Sequence, residues 1–144
     1  MRKNRGFTLL ELLIVVVILG VLALIAAPTL LNAADKAKEG AVKANVSAAA
    51  STCTTRLAIN EEDGSTAASN AVTDLNGDTT SGAKSPFAPT AAAFLAATAA
   101  TSAGQTTLAG SGTSTTTTPL VDITGWGKVA TTALVKKTIK APVN

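Results

Sequence analysis

Arg5-Gly6-Phe7-Thr8-Leu9-Leu10-Glu11, continued by the apolar run Leu12 to Ala27, is the stretch on which the reading of the whole chain turns. Sixteen consecutive residues after Glu11 carry no polar side chain. Counted from Phe7, the segment is 21 residues long. As a helix it would rise about 31 Å, enough to cross the hydrocarbon of a bilayer. Arg2, Lys3 and Arg5 precede it with no nearby acid, which would hold that end on the cytoplasmic side. One carboxylate, Glu11, lies inside the segment. Charge at membrane depth is costly, so an acid placed there points to function.

This pattern closely resembles the processing site of bacterial type IV prepilins and the related pseudopilins. A short basic leader ends in Gly6, Phe7 would open the mature chain, and Glu11 would be its fifth residue. Gly20 and Pro28 fit the stem of that family. The resemblance is specific over residues 1–35 and rests on general layout beyond them. It implies an α+β pilin fold, in which a long N-terminal α-helix packs by its C-terminal half on a small antiparallel β-sheet. The implied domains are a leader peptide (1–6), a hydrophobic transmembrane and filament-core helix (7–35), and a head (36–144) that includes the amphipathic second half of the helix.

The same resemblance implies cleavage between Gly6 and Phe7 by a prepilin peptidase, and N-methylation of Phe7. Phe7, Glu11, Gly20 and Pro28 are then the residues expected to govern assembly. Glu11 would pair with the Phe7 amine of a neighbouring subunit, or with its own, one helical turn away. The implied partners are other copies of the chain in a homopolymeric filament, the peptidase, the inner-membrane assembly machinery and, before assembly, the membrane itself. The precursor belongs in the inner membrane and the assembled filament outside the cell. Adhesion, twitching motility and DNA uptake are all open, as is any DNA or surface ligand. Two alternatives stand beside the type IV pilin: a pseudopilin of a type II secretion or competence system, and an exported, membrane-anchored protein that does not polymerise.

A conventional secretory signal would explain the basic and apolar stretches, with cleavage after Ala26-Ala27. It would place Pro28 directly after the cut, needs an unusually long apolar run, and leaves Glu11 without a purpose. Composition fits the stem-and-head reading better. Removing Arg2, Lys3 and Arg5 from 12 basic residues leaves nine, against nine acidic ones, so a chain without its leader is formally neutral. The basic pI is therefore no footprint of nucleic acid. Cys53 is the single cysteine, so an intrachain disulfide is excluded. With no His in the chain, neither a zinc site of ordinary ligands nor a Ser or Cys nucleophile with its usual base can be built. No catalytic residue, cofactor or metal is expected. Four aromatics, Phe7, Phe87, Phe94 and Trp126, are too few for a conducting stack.

Beyond the membrane segment, Pro28 removes one backbone hydrogen bond and should kink or loosen the helix. Helical sequence then resumes towards Ile59. Val42, Val46, Ala49, Cys53 and Leu57 form one apolar stripe, with Lys36, Glu39 and Lys43 pointing elsewhere. Cys53 lies within the stripe and reads as a small core residue. Asn60 to Gly64 ends the helix. The remaining expectations are less sharply patterned. Val72 to Asp78 reads as a short strand entering an Asn-Gly turn. Asp74, Asn76 and Asp78 suggest calcium, but Gly77 is misplaced for that loop, and a solvated turn is the better reading. Thr90 to Thr98 reads as a short helix presenting Phe94 and Leu95. Residues 101–118, rich in Thr, Ser and Gly, read as an exposed loop or an edge strand, with hydroxyls available for O-linked glycans. Leu120 to Lys140 reads as two or three antiparallel strands anchored by a partly buried Trp126.

Overall fold

The computed structural model describes residues 7–77, 82–113 and 117–142. It divides into two compact units, Met1–Lys36 and Ala37–Asn144. Helix α1 (Leu9–Ala58) contributes to both. The second unit, the head, adds helix α2 (Gly64–Asn76) and strands β1 (Phe94–Leu95), β2 (Thr106–Ser111), β3 (Leu120–Trp126) and β4 (Ala133–Lys140).

Within the head, the predicted stripe on α1 is the buried one: Val42, Val46, Ala49, Cys53 and Leu57 are all core, joined by Ala50. All of these but Val42 form one cluster with Ala67, Ala68 and Ala71 of α2 and with Leu108, Val121 and Ile123 of the sheet. Burying a Val, Leu or Ile side chain gives about 1.5–3 kcal/mol. Five such side chains on three elements therefore outweigh what the alanines add. Gly125 of β3 lies against Val42 and Val46, where a side chain would collide with both. Burial pushes the Cys53 thiol up to about 11, against an opposing pull from Arg56, which leaves it un-ionised and unreactive at neutral pH.

The sheet order is β1-β2-β3-β4. β2 and β3 pair antiparallel from Thr106↔Gly125 to Ser111↔Leu120. β3 and β4 pair antiparallel from Leu120↔Lys140, with a register shift at Gly125/Trp126. The sheet is mixed rather than wholly antiparallel, because Phe94 and Leu95 run parallel to Thr106 and Thr107. Residues 128–132 connect β3 to β4 and form no strand.

Three expectations for the middle of the chain fail, each for a physical reason. Residues 64–76 form a helix, not a strand. Asp63 is its N-cap, its carboxylate accepting from the Thr66 amide at 2.8 Å and from the Ser65 hydroxyl at 2.8 Å. Gly77, at φ 62°, closes its other end with its N–H donating to Thr73 O. The turn expected at Asn76-Gly77-Asp78 runs outside the described residues, and Asn76 itself ends α2. Its side chain instead accepts from Phe94 N at 3.1 Å and donates to Phe94 O at 2.9 Å, completing the open edge of β1.

Thr90 to Thr98 is not helical, because Phe94 is buried in the core and its backbone is held between Asn76 and β2. Nor is β2 an exposed edge at its start. Thr106, Thr107 and Leu108 are buried between β1 and β3. Buried Gln105 supplies order where apolar area is lacking: its Oε1 accepts from Thr101 N and Ser102 N, each at 2.9 Å, and its Nε2 donates to Ala92 O at 3.1 Å. Trp126 is half-buried as expected, donating from Nε1 to Thr107 Oγ1 at 2.9 Å.

Glycine sets how closely α2 can lie on the sheet. A methyl group at Gly110 would overlap the Gly64 carbonyl, and one at Gly64 would overlap backbone of Ser111 and Leu120. Arg56 ties the far ends of the helices together, donating from Nη1 to Glu62 Oε1 at 2.8 Å and from Nη2 to Asp74. Lys38 Nζ lies 5.5 Å from the centre of the Phe87 ring, joining α1 to the loop around Pro86.

The Asp63 cap gives a pH signature. Hydrogen bonds, first that from the Thr66 backbone, hold its carboxyl below the usual carboxylate range. The folded pKa is thus below the unfolded one, so the contribution is full above about pH 4 and fades as pH falls through the folded value. Asp63→Ala should lower the thermal midpoint of the head at pH 7, and the gap to wild type should close in more acidic buffer. A gap that is constant from pH 7 to pH 3 would show that the charge of Asp63 does not act through the cap.

Candidate functional site

In the N-terminal unit the site is a surface and not a cavity. Every large apolar side chain from Phe7 to Leu31 is at least 47% exposed. The helix is long and apolar enough to cross a membrane. Its start is built by Thr8, whose C=O accepts the first helical bond, from Leu12 N at 3.3 Å. Thr8 Oγ1 accepts from Glu11 N at 3.2 Å, and the Glu11 carboxylate accepts from Thr8 N at 3.0 Å and from the Thr8 hydroxyl at 2.9 Å. This is a capping box, in which two otherwise orphaned donors are satisfied reciprocally.

Within the subunit the partner of Glu11 is Thr8, and not the Phe7 amine that the resemblance implies. The signal was present in Thr8-Leu9-Leu10-Glu11, a Thr followed three residues later by Glu ahead of an apolar run. Phe7 is 82% exposed, one residue before the cap. Gly6 lies outside the described residues. Gly20 has open space around it, so no packing within the subunit demands a glycine there. Pro28 sits inside an unbroken helical assignment. Thr29 Oγ1 donates to Ala26 O at 2.8 Å in the adjoining turn. The structure brings Thr8 and Glu11 together, and leaves Gly20 and Pro28 as separate features further along the same helix.

In the head, two members of the suspected calcium cluster are committed to protein partners. Asp74 binds Arg56, and both polar atoms of the Asn76 side chain bind Phe94. Asp78 lies outside the described residues. Among the described residues no group of three or more His, Cys, Asp or Glu side chains is placed to hold a metal ion.

The chain thus joins a basic N-terminal segment, an uncovered apolar helix with a capped start, and a small α+β head. The family model described as the prokaryotic N-terminal methylation motif matches residues 1–27. Over 46 residues the chain is 48% identical to the type IV major pilin protein PilA of Myxococcus xanthus, covering 32% of this chain and 21% of that one. It is 43% identical over 49 residues to the type II secretion system core protein G of Pseudomonas aeruginosa, covering 34% of each. Against the core protein G of Vibrio cholerae it is 56% identical over 39 residues, 27% of each chain. The matched stretch therefore spans between 21% and 34% of these curated relatives. No solved structure matches the chain. Over its N-terminal part the chain is thus similar to a type IV major pilin and to type II secretion system core proteins.

Proposed function

We propose that the chain is a structural subunit that polymerises through residues 7–35 into a type IV pilus filament, after removal of leader 1–6. The observation that carries this reading is the uncovered apolar surface from Phe7 to Leu31. A surface of that length and character has two stable environments, lipid and other copies of itself. Before assembly the helix rests in the inner membrane. In the filament, lipid contacts are exchanged for helix–helix contacts between copies. Such heterologous packing does not close, so it propagates as a helical polymer outside the cell.

Prepilin peptidase and the inner-membrane assembly machinery are the partners this route requires. Residues 36–144 form the head that the filament displays. Similarity to type II secretion core proteins supports a second reading, a pseudopilin whose filament stays short. Shearing the cells separates the two: a major pilin appears in long sheared filaments, whereas a pseudopilin stays with the envelope. A chain that never polymerises would give no filament in either fraction, even when overproduced.

Processing is tested by mass. The mature protein should begin at an N-methylated Phe7, and Gly6→Ile should leave an uncut precursor in the membrane. A mature N-terminus at Pro28 would support a conventional secretory signal and overturn this route. Filament packing should also change the stem. Gly20 weakens the helix through backbone entropy and Pro28 through a missing donor, so residues 21–27 should lose helical hydrogen bonds on assembly. Unbroken helix through that segment in a filament map would refute this.

A further inference from the structure

We propose that the outer face of the sheet carries a shallow site for a neutral saccharide with vicinal hydroxyls. Asp122 and Thr124 alternate along β3 with Val121, Ile123 and Gly125, which are buried towards α1. The face they share points away from that helix. A cavity of about 330 Å³ opens on it, lined by Thr98, Thr107, Asp122, Thr124, Lys136 and Thr138, among others. That volume is at the lower end of small-ligand sites, about 300–1,000 Å³.

The polar groups are arranged as a mixed set. Thr138 donates its hydroxyl to Asp122 Oδ1, which orients the carboxylate and leaves the second oxygen without a protein partner among the described residues. Thr107 forms the floor; its hydroxyl accepts from Trp126 Nε1 at 2.9 Å and keeps its own proton for another acceptor. Thr124 and Lys136 stand opposite each other across β3 and β4. One carboxylate to accept, and an ammonium and hydroxyls to donate, match the alternating donors and acceptors of a diol. A phosphate or sulfate would face the Asp122 oxygen, and an apolar segment would strand these polar groups unpaired. Neutral sugar hydroxyls satisfy them all. The site belongs to the head alone and is independent of whether the chain polymerises.

The test uses the full chain in lauryldimethylamine oxide, because a maltoside detergent would compete for the site. Immobilised neutral oligosaccharides ending in glucose, galactose or mannose are the probes, with heparin as the polyanion control. Wild type should bind at least one neutral probe, and free monosaccharide should displace it. Asp122→Asn and Thr124→Val should each weaken binding about tenfold, since the first turns an accepting oxygen into a donating amide and the second removes a hydroxyl. Thr124→Val keeps a β-branched side chain on the strand, so it reports on the site even if Asp122→Asn loosens β4. Circular dichroism of each variant checks the fold. Failure to bind any neutral probe at millimolar concentration overturns the proposal. So does binding to heparin alone, which would make the lysines a plain polyanion surface, and so does unchanged affinity in both variants.

Discussion

Cells whose only copy of the chain carries Glu11→Ala should cut the leader normally and make few or no filaments. On the proposed route cleavage falls between Gly6 and Phe7, upstream of the change, so processing has no reason to fail. In the membrane the variant loses the capping contacts with Thr8, and it also loses a charge from an apolar segment. Charge at membrane depth costs more than a helix cap returns, so the unassembled subunit should persist at wild-type levels. Assembly is a different matter. On the proposed route leader removal gives Phe7 an amine, and a neighbour without Glu11 would bury that amine unpaired.

The capping box adds the control that separates the two roles of Glu11. Thr8→Val abolishes the hydroxyl contacts and keeps the carboxylate. If pairing between subunits governs assembly, Thr8→Val cells should still make filaments. If the cap governs it, they should fail as Glu11→Ala cells do. Normal filament numbers from Glu11→Ala would refute a role for the charge altogether.

Gly110→Val should unfold the head more readily than any other single change considered. The new side chain would meet the Gly64 carbonyl and lie close to Ser65 N, and neither is the flexible end of a side chain. α2 must then lift from β2 or the strand must bend. Overpacking of this kind costs about 3 kcal/mol or more where backbone cannot yield. For a domain of this size the thermal midpoint should fall by roughly 10 °C or more. Gly40→Ala is the counterpart, lying mid-helix in α1 with nothing near it. It should stabilise by about 0.5–1 kcal/mol. Unfolding of detergent-solubilised chain, followed by circular dichroism, compares the two. A Gly110→Val midpoint within a degree or two of wild type would mean that α2 does not sit on β2 as described.

Helix α1 was legible in the sequence because its signals are local and strong. A helix able to cross a membrane is recognised by length and apolar composition alone, and the stripe from Val42 to Leu57 needs only a period near 3.6. The same holds for the C-terminal strands, where Leu120 to Ile123 and Leu134 to Ile139 carry β-branched and large apolar residues. Thr8 was legible too, through its spacing from Glu11, but its cap had to be seen in place to be weighed.

Tertiary structure decided the middle of the chain. α2 buries Ala67, Ala68 and Ala71, side chains so small that a sequence of Ala, Ser and Thr shows little contrast between its faces. What selects helix there is a pair of ends, the Asp63 cap and Gly77, together with a sheet surface that Gly110 leaves open for close approach. Asn76 resembled a turn residue because its preference is local, yet its side chain is used at long range to finish the edge of β1. Likewise Thr106 and Thr107 gave no sign of burial, since their hydroxyl-bearing side chains suit a surface strand equally well. They are interior because β1 and β3 close on either side, and no residue within 101–118 records that pairing.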